Sequence, residues 1–163
     1  MNNIKVISGG QTGVDQAALQ AALDRGFETG GWMPKGCKTL DGPNRNLLNK
    51  FHMKEHSSTS YKQRTWDNVL MADYTLRIAT TFKSAGEKCT FKAIEAHKKP
   101  ALDIPIIEGC PAFYPNDVAR YIAYYCAADG ILNVAGNSEQ TSPGIYEIAY
   151  DFLDTVFYEL TIL

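Results

Sequence analysis

The sequence predicts an α/β fold, a mostly parallel central sheet of about five or more strands between two helix layers, on three observations. Short β-branched runs alternate along the chain with segments of helical apolar spacing, which implies crossover connections and helices on both faces of the sheet. A glycine-rich turn, Ser8-Gly9-Gly10-Gln11-Thr12-Gly13, joins the first strand run directly to the first helical run. The last helical run carries Ile145, Ile148, Ala149, Phe152, Leu153, Val156, Phe157 and Leu160, an i, i+3, i+4, i+7 pattern that presents one apolar face. Together they predict a Rossmann-like three-layer sandwich. The 163 residues make one domain, residues 1–163, long enough to bury roughly 70% of the surface of the unfolded chain.

The elements follow in order. A strand over 4–8 and a turn over 9–13 lead into a helix that Gly26 stops near Arg25. Its Val14, Ala17, Ala18, Ala21 and Ala22 are small enough to lie close to a sheet. A second strand spans 27–32 and ends in Gly30-Gly31-Trp32, and an irregular glycine- and proline-rich stretch fills 33–46. Residues 47–56 read as partly extended, and 60–72 as a helix with serine N-caps. A strand over 74–79, a polar segment over 80–88 and a helix over 89–97 come next. A strand over 101–104, a helix capped by Asn116 or Asp117 and running to about Ala127, and a strand over 131–134 precede the final helix. The first, second, third and last strands run into small or polar residues, so their carboxyl ends should meet in a backbone-rich pocket.

A net charge of −2 and the absence of a Lys/Arg-rich run argue against nucleic acid. No apolar stretch is long enough to span a membrane, and strand pattern within a few residues of Met1 leaves no room for a signal peptide, so a cytoplasmic protein is expected. Cys37, Cys89, Cys110 and Cys126 stand far apart with no Cys-x-x-Cys, and read as reduced, buried thiols.

A strand that feeds a helix through glycines leaves N–H groups bare at the helix N-terminus, where the dipole favours an oxyanion. The turn is not a Walker loop, because Gly13-Val14-Asp15 stands where Gly-Lys-Ser/Thr is needed. Nor is it a dinucleotide fingerprint: the glycine spacing is wrong and no carboxylate ends the second strand. Asp15 has two readings that can hold together, a capping box with Thr12 or a group facing ligand hydroxyls or a cation. Gly13→Asp is expected to abolish ligand binding without unfolding the chain.

Lys35, Lys38, Asp41 and Arg45 lie on the long loop, as a phosphate clasp or as a solvated surface. Tyr61, Arg64, Thr65 and Asn68 form a polar stripe on one helix face, in which Arg64 can grip an oxyanion with two parallel bonds. His52 and His56 lack the glutamate of a metalloprotease motif, so no metal site is expected. No Ser-His-Asp order, nucleophile elbow or carboxylate couple marks a catalytic residue.

The run from Ser8 to Asp15 ahead of an alanine-rich helix resembles the putative molybdenum carrier family, within the Rossmann-like superfamily that includes lysine-decarboxylase-like phosphoribohydrolases. Four further blocks agree in order along the chain. They are Gly30-Gly31-Trp32-Met33-Pro34-Lys35-Gly36, Asp41-Gly42-Pro43, Tyr61 through Arg64-Thr65 to Asn68-Val69, and Leu132-Asn133-Val134-Ala135-Gly136 through Pro143-Gly144-Ile145-Tyr146-Glu147. The resemblance implies a cytoplasmic homo-oligomer that holds the molybdenum cofactor (molybdopterin), a pterin dithiolene bearing a phosphate, and passes it to molybdoenzyme apoproteins. Two positions depart from the pattern. Ser84-Ala85-Gly86-Glu87-Lys88-Cys89-Thr90 replaces a Gly-Gly-Thr type turn, and Gln16 stands where arginine is common. The phosphate-binding segment of the hydrolase relatives is missing.

The expected function is therefore binding of a phosphorylated small molecule, the cofactor or a nucleotide-like ligand, by a carrier, storage or sensor protein. Its expected contacts are Ser8, Gly9, Gly10, Gln11, Thr12, Gly13 and Asp15 at the turn, Trp32 and Lys35 after the second strand, and Arg64, Thr65 and Asn68 on the stripe. Gly136, Asn137 and Ser138 complete the far side. The rival is a nucleoside monophosphate phosphoribohydrolase with Asp15 or Glu147 as acid/base. A third reading is a scaffold assembled through aromatic helices bearing Tyr121, Tyr124, Tyr125, Phe152 and Phe157.

Overall fold

A computed structural model describes residues 3–163. The elements are β1 (Lys5–Ile7), α1 (Val14–Asp24), β2 (Glu28–Gly30), β3 (Trp32–Met33), β4 (Lys38–Thr39), β5 (Gly42–Pro43), α2 (Asn46–Lys50) and β6 (Lys54–Glu55). They continue as α3 (Tyr61–Met71), β7 (Tyr74–Ala79), α4 (Ala85–His97), β8 (Ala101–Ile107), β9 (Cys110–Pro111), α5 (Pro115–Cys126), β10 (Ile131–Gly136) and α6 (Ile145–Thr161). Six strands form the central sheet in the order β2-β1-β10-β7-β8-β9, parallel throughout except for β9 against β8. α1 and α5 pack on α6, while α3 packs on α4. The result is the Rossmann-like three-layer α/β fold.

All six residues of β7 are buried, as a parallel strand covered on both faces requires. Val6, Leu76, Ile78, Leu132 and Val134 meet the apolar face of α6 and the alanines of α1 in the main core. With no side chain beyond Cβ, Ala17, Ala18, Ala21 and Ala22 let α1 lie close to its neighbours. A tilted contact between Phe27 and Phe157, centroids 5.4 Å apart, ties the end of that layer. Among the described residues, no helix is long and apolar enough to cross a membrane.

Several elements differ from the sequence reading. The expected second strand is cut at Gly31 (φ 116°), so Trp32–Met33 leaves the main sheet and pairs with β6. The stretch 33–46 folds into the antiparallel β4–β5 pair above a small second core of Leu19, Met33, Cys37, Leu47, Phe51 and Met53. α4 begins four residues early because Ser84 Oγ accepts the Glu87 amide at 3.3 Å and starts the helix there. α5 is entered through Pro115 in its first turn after Tyr114 as N-cap, so Asn116 and Asp117 lie inside the helix. The cysteines are free, but only Cys37 and Cys126 are buried; Cys89 is half-buried and Cys110 exposed.

Candidate functional site

A cavity of about 430 Å³ opens beyond the carboxyl ends of β7 and β10, where an open parallel sheet places ligands. Gln11 and Asp15 reach it from the glycine turn and α1, Arg64 and Thr65 from α3, and Gly136, Asn137 and Ser138 from the end of β10. The start of α4 supplies Ser84, Ala85, Gly86 and Glu87, and Leu40 comes from the tip of the β4–β5 hairpin.

The glycine turn is not a row of bare donors. The Gln11 amide donates to Asp15 Oδ2 at 3.2 Å, and the Thr12 amide to the Gln11 side-chain oxygen at 3.0 Å. The Val14 amide donates to the Asn137 carbonyl at 3.1 Å. The chain's own groups thus occupy much of the cradle expected for an oxyanion. The Thr12–Asp15 capping box does not form either. Gly13 is the N-cap without a side-chain bond, and Thr12 Oγ1 accepts from the Glu139 amide at 3.4 Å. Gly13 adopts φ 83°, and a Cβ there would strike the Asn137 carbonyl and lie 2.9 Å from the Glu139 nitrogen. Gly13→Asp therefore strains the fold itself, contrary to the sequence expectation.

Charge in the cavity comes from side chains. Arg64 Nη1 lies 3.8 Å from Asp15 Oδ2, with both side chains nearly withdrawn from solvent. It also donates to Thr65 Oγ1 at 3.0 Å, whereas the buried Nε has no partner. A Cβ on Gly9 would overlap the Arg64 guanidinium, so only glycine lets the turn approach this close. Burial raises the Asp15 carboxyl above its ordinary range, against the Arg64 charge and the Gln11 amide, which favour the anion.

Asn137 is a clamp between β10 and the loop after β7. Its side-chain oxygen accepts the Thr80 amide at 2.9 Å and the Ser142 hydroxyl at 3.0 Å, and its nitrogen donates to the Thr81 carbonyl at 3.0 Å. Ser138 Oγ accepts the Thr141 amide at 3.2 Å. Both residues line the cavity, but the Asn137 side chain is committed internally.

Other expected contacts stand behind or away from the cavity wall. Ser8 Oγ donates to the Val134 carbonyl at 2.5 Å and ties β1 to β10. Gly10 backs onto Met33. Asn68 accepts the Trp32 amide at 2.9 Å and donates to the Trp32 and Ser8 carbonyls, so it holds the strand ends together as a strut. Trp32 itself packs edge-on against His56. Lys35 lies beside Glu55, which the Gly36 amide, Arg45 and, to a lesser degree, Lys35 hold below the usual carboxylate range. Neither it nor Arg45 lines the cavity; of the long loop only Leu40, at the hairpin tip, does. Glu147, the rival acid/base, is on α6 and does not line it.

Sequence reasoning missed Glu87. Its residue is 2% exposed and lines the cavity, and Oε2 has no hydrogen-bond partner. Burial pushes its carboxyl up to about 8, opposed by Arg77 and reinforced by Asp15 and Asp103. The available signal was Ser84-x-x-Glu87, a capping-box spacing that also places a helix start at the rim.

A mostly parallel sheet with an acid- and arginine-lined cavity beyond its carboxyl ends defines a Rossmann-like α/β protein. Over residues 6–157 the chain matches the model of the circularly permutated YpsA SLOG family, and it belongs to that family. A crystal structure of a putative molybdenum carrier protein from Syntrophus aciditrophicus SB is similar, with 33% identity and a TM-score of 0.78 over 95% of this chain and 96% of that one. The match supports the putative molybdenum carrier family as well. No curated protein matches the chain.

Proposed function

We propose that the whole chain acts as one cytoplasmic carrier that holds a phosphorylated small molecule in this cavity, with the molybdenum cofactor as cargo. Arg64 carries the reading. Its guanidinium stands in the cavity wall, its Nε is unpartnered, and Asp15 lies beyond hydrogen-bond reach of Nη1 at 3.8 Å. A phosphate oxygen pair would complete those donors better than Asp15 does. Thr65, Ser138 and Gln11 add polar groups beside it. The volume lies within the range of small-molecule sites, about 300–1,000 Å³. The donors therefore fit the phosphate end of such a guest. The family match and a relative described as a molybdenum carrier favour the cofactor as that guest.

Native mass spectrometry of gently purified protein from cofactor-producing cells tests the reading. The wild type is expected to retain a small molecule that Arg64→Met, which keeps the side-chain stem, does not. A ligand-free wild type, or equal retention by both, overturns it. The carrier reading further implies apoenzyme recipients and a homo-oligomer. The exposed Tyr121, Tyr124 and Tyr125 of α5 offer a face for the assembly, checked by light scattering of the wild type against a triple serine variant.

One observation favours the hydrolase as a second reading: two buried carboxyls, Asp15 and Glu87, share the cavity with the arginine. Asp15, as carboxylate, would take a proton from the water that attacks the sugar carbon, while Glu87 gives its proton to the ring nitrogen as the carbon–nitrogen bond breaks. Release of free base from a nucleotide panel separates the readings, since a carrier releases none.

A further inference from the structure

Phosphate recognition leaves the Glu87 side chain unused. It sits in the first turn of α4 and lines the cavity, with its side chain 3% exposed. Only half of the capping box that its spacing suggests is formed: Ser84 Oγ accepts the Glu87 amide, while the Glu87 side chain does not return the bond to the Ser84 amide. Arg77 Nη1 stands 3.7 Å from Oε2, too far for a hydrogen bond. That guanidinium is already committed, through Nε and Nη2 to the Asp103 carboxylate at 2.7 and 2.6 Å, and through Nη1 to the Glu87 backbone carbonyl at 3.0 Å. Phe82 and Phe91 cover it at 4.9 and 5.5 Å. Glu87 thus closes neither a cap nor a hydrogen-bonded ion pair. A buried acceptor in that state costs about 1–3 kcal/mol unless a ligand supplies its donor. Four charged groups surround it or its neighbour: Arg77 on β7, Asp103 on β8, Asp15 on α1 and, facing Asp15, Arg64 on α3.

We propose that Glu87 reads the heterocycle of the guest, its carboxylate accepting the ring N–H and the exocyclic amine of an aminopyrimidinone edge, the donor pair common to pterins and guanine. The inference rests on the anion-carrier reading of the same cavity. Two carboxylate oxygens match two parallel donors. Hypoxanthine lacks the amine, and adenine presents one donor and one acceptor. At neutral pH the free protein holds a proton on Glu87, and pairing with two donors expels it to the buffer.

Titration calorimetry of wild type, Glu87→Gln and Arg64→Met with GMP, IMP and AMP, at neutral pH in two buffers of different ionisation enthalpy, tests this. The wild type is expected to bind GMP at least ~10-fold more tightly than IMP or AMP, the range of one charge-assisted hydrogen bond. GMP binding should release close to one proton, about what the Glu87 titration supplies. Glu87→Gln, checked for an unchanged circular-dichroism melt, loses both the preference and the proton while IMP affinity moves less than ~3-fold. Equal binding of GMP and IMP by the wild type, or a preference or proton release that survives in Glu87→Gln, overturns the inference. If Arg64→Met still weakens all three nucleotides, the anion site stands without it. Failure of all three to bind also overturns it, and retention in the native mass measurement then judges the carrier reading separately.

Discussion

Asp15 and Glu87 are acids that folding takes out of water, and both are raised by burial. In the unfolded chain Glu87 ionises in the ordinary carboxylate range, whereas in the fold it keeps its proton to about 8. Between those limits the unfolded state binds fewer protons, so stability falls as pH rises, by up to ~1.4 kcal/mol per pH unit, and levels off above the folded value. Urea denaturation from about pH 5 to 9 should show that slope in the wild type and a shallower one in Glu87→Gln. Asp15, also raised by burial, contributes with the same sign. Asn137 is the second residue-scale test. Asn137→Ala strips the Thr80 and Thr81 backbone and the Ser142 hydroxyl of their partner and is expected to cost ~2–3 kcal/mol in urea melts.

Two helix starts around the cavity are set by groups outside the helices they serve. Glu139 accepts the Gly144 amide at 2.8 Å and the Tyr146 amide at 2.6 Å, so a loop carboxylate caps α6. Glu139→Ala should lower stability by ~1 kcal/mol with no change in the m-value, because it removes a cap and leaves the core intact. At α1 the cap position is a glycine in the left-handed region, pressed on the loop after β10. Gly13→Ala is expected to destabilise by more than ~1 kcal/mol, read in the same melts, through both φ and the clash with Asn137.

At the scale of the molecule, β1 and β10 are neighbours although they are among the first and last strands of the chain. That pairing, with β7 on the other side of β10, brings the glycine turn, the 137–144 loop and the start of α4 to one rim. A ligand held there stabilises only the folded state, by ~2.7 kcal/mol at 100 times its Kd, or a rise of about 5–10 °C in Tm for a chain of this size. Calorimetric scanning with the retained ligand should show that rise in the wild type and not in Arg64→Met.

The architecture was legible because burial imposes periodicity. The alternation of runs, the alanines of α1 and the apolar stripe of α6 each appear in the chain order and face that the fold uses. Arg64 and Thr65 were legible for a related reason, since helical spacing puts them on one face with Tyr61. The long loop was not. Its fold depends on a second core formed with Leu19 of α1, and no local pattern announces that contact. The Val14 amide was misread for the same cause, its partner being the distant Asn137 carbonyl, whereas the Gln11 and Thr12 amides are taken by the neighbouring side chains of Asp15 and Gln11.

By itself, the sequence determined the α/β class and the strand–turn–helix at the rim, because these follow from hydrophobic period and from glycine placed next to it, and it pointed to the family through the motif blocks it shares. Only the tertiary structure decided which polar groups are spent holding the rim together and which remain open to a guest. Whether Asn68 is a strut and Glu87 an unpartnered acid depends on neighbours distant along the chain, and on the water that folding removes from around them.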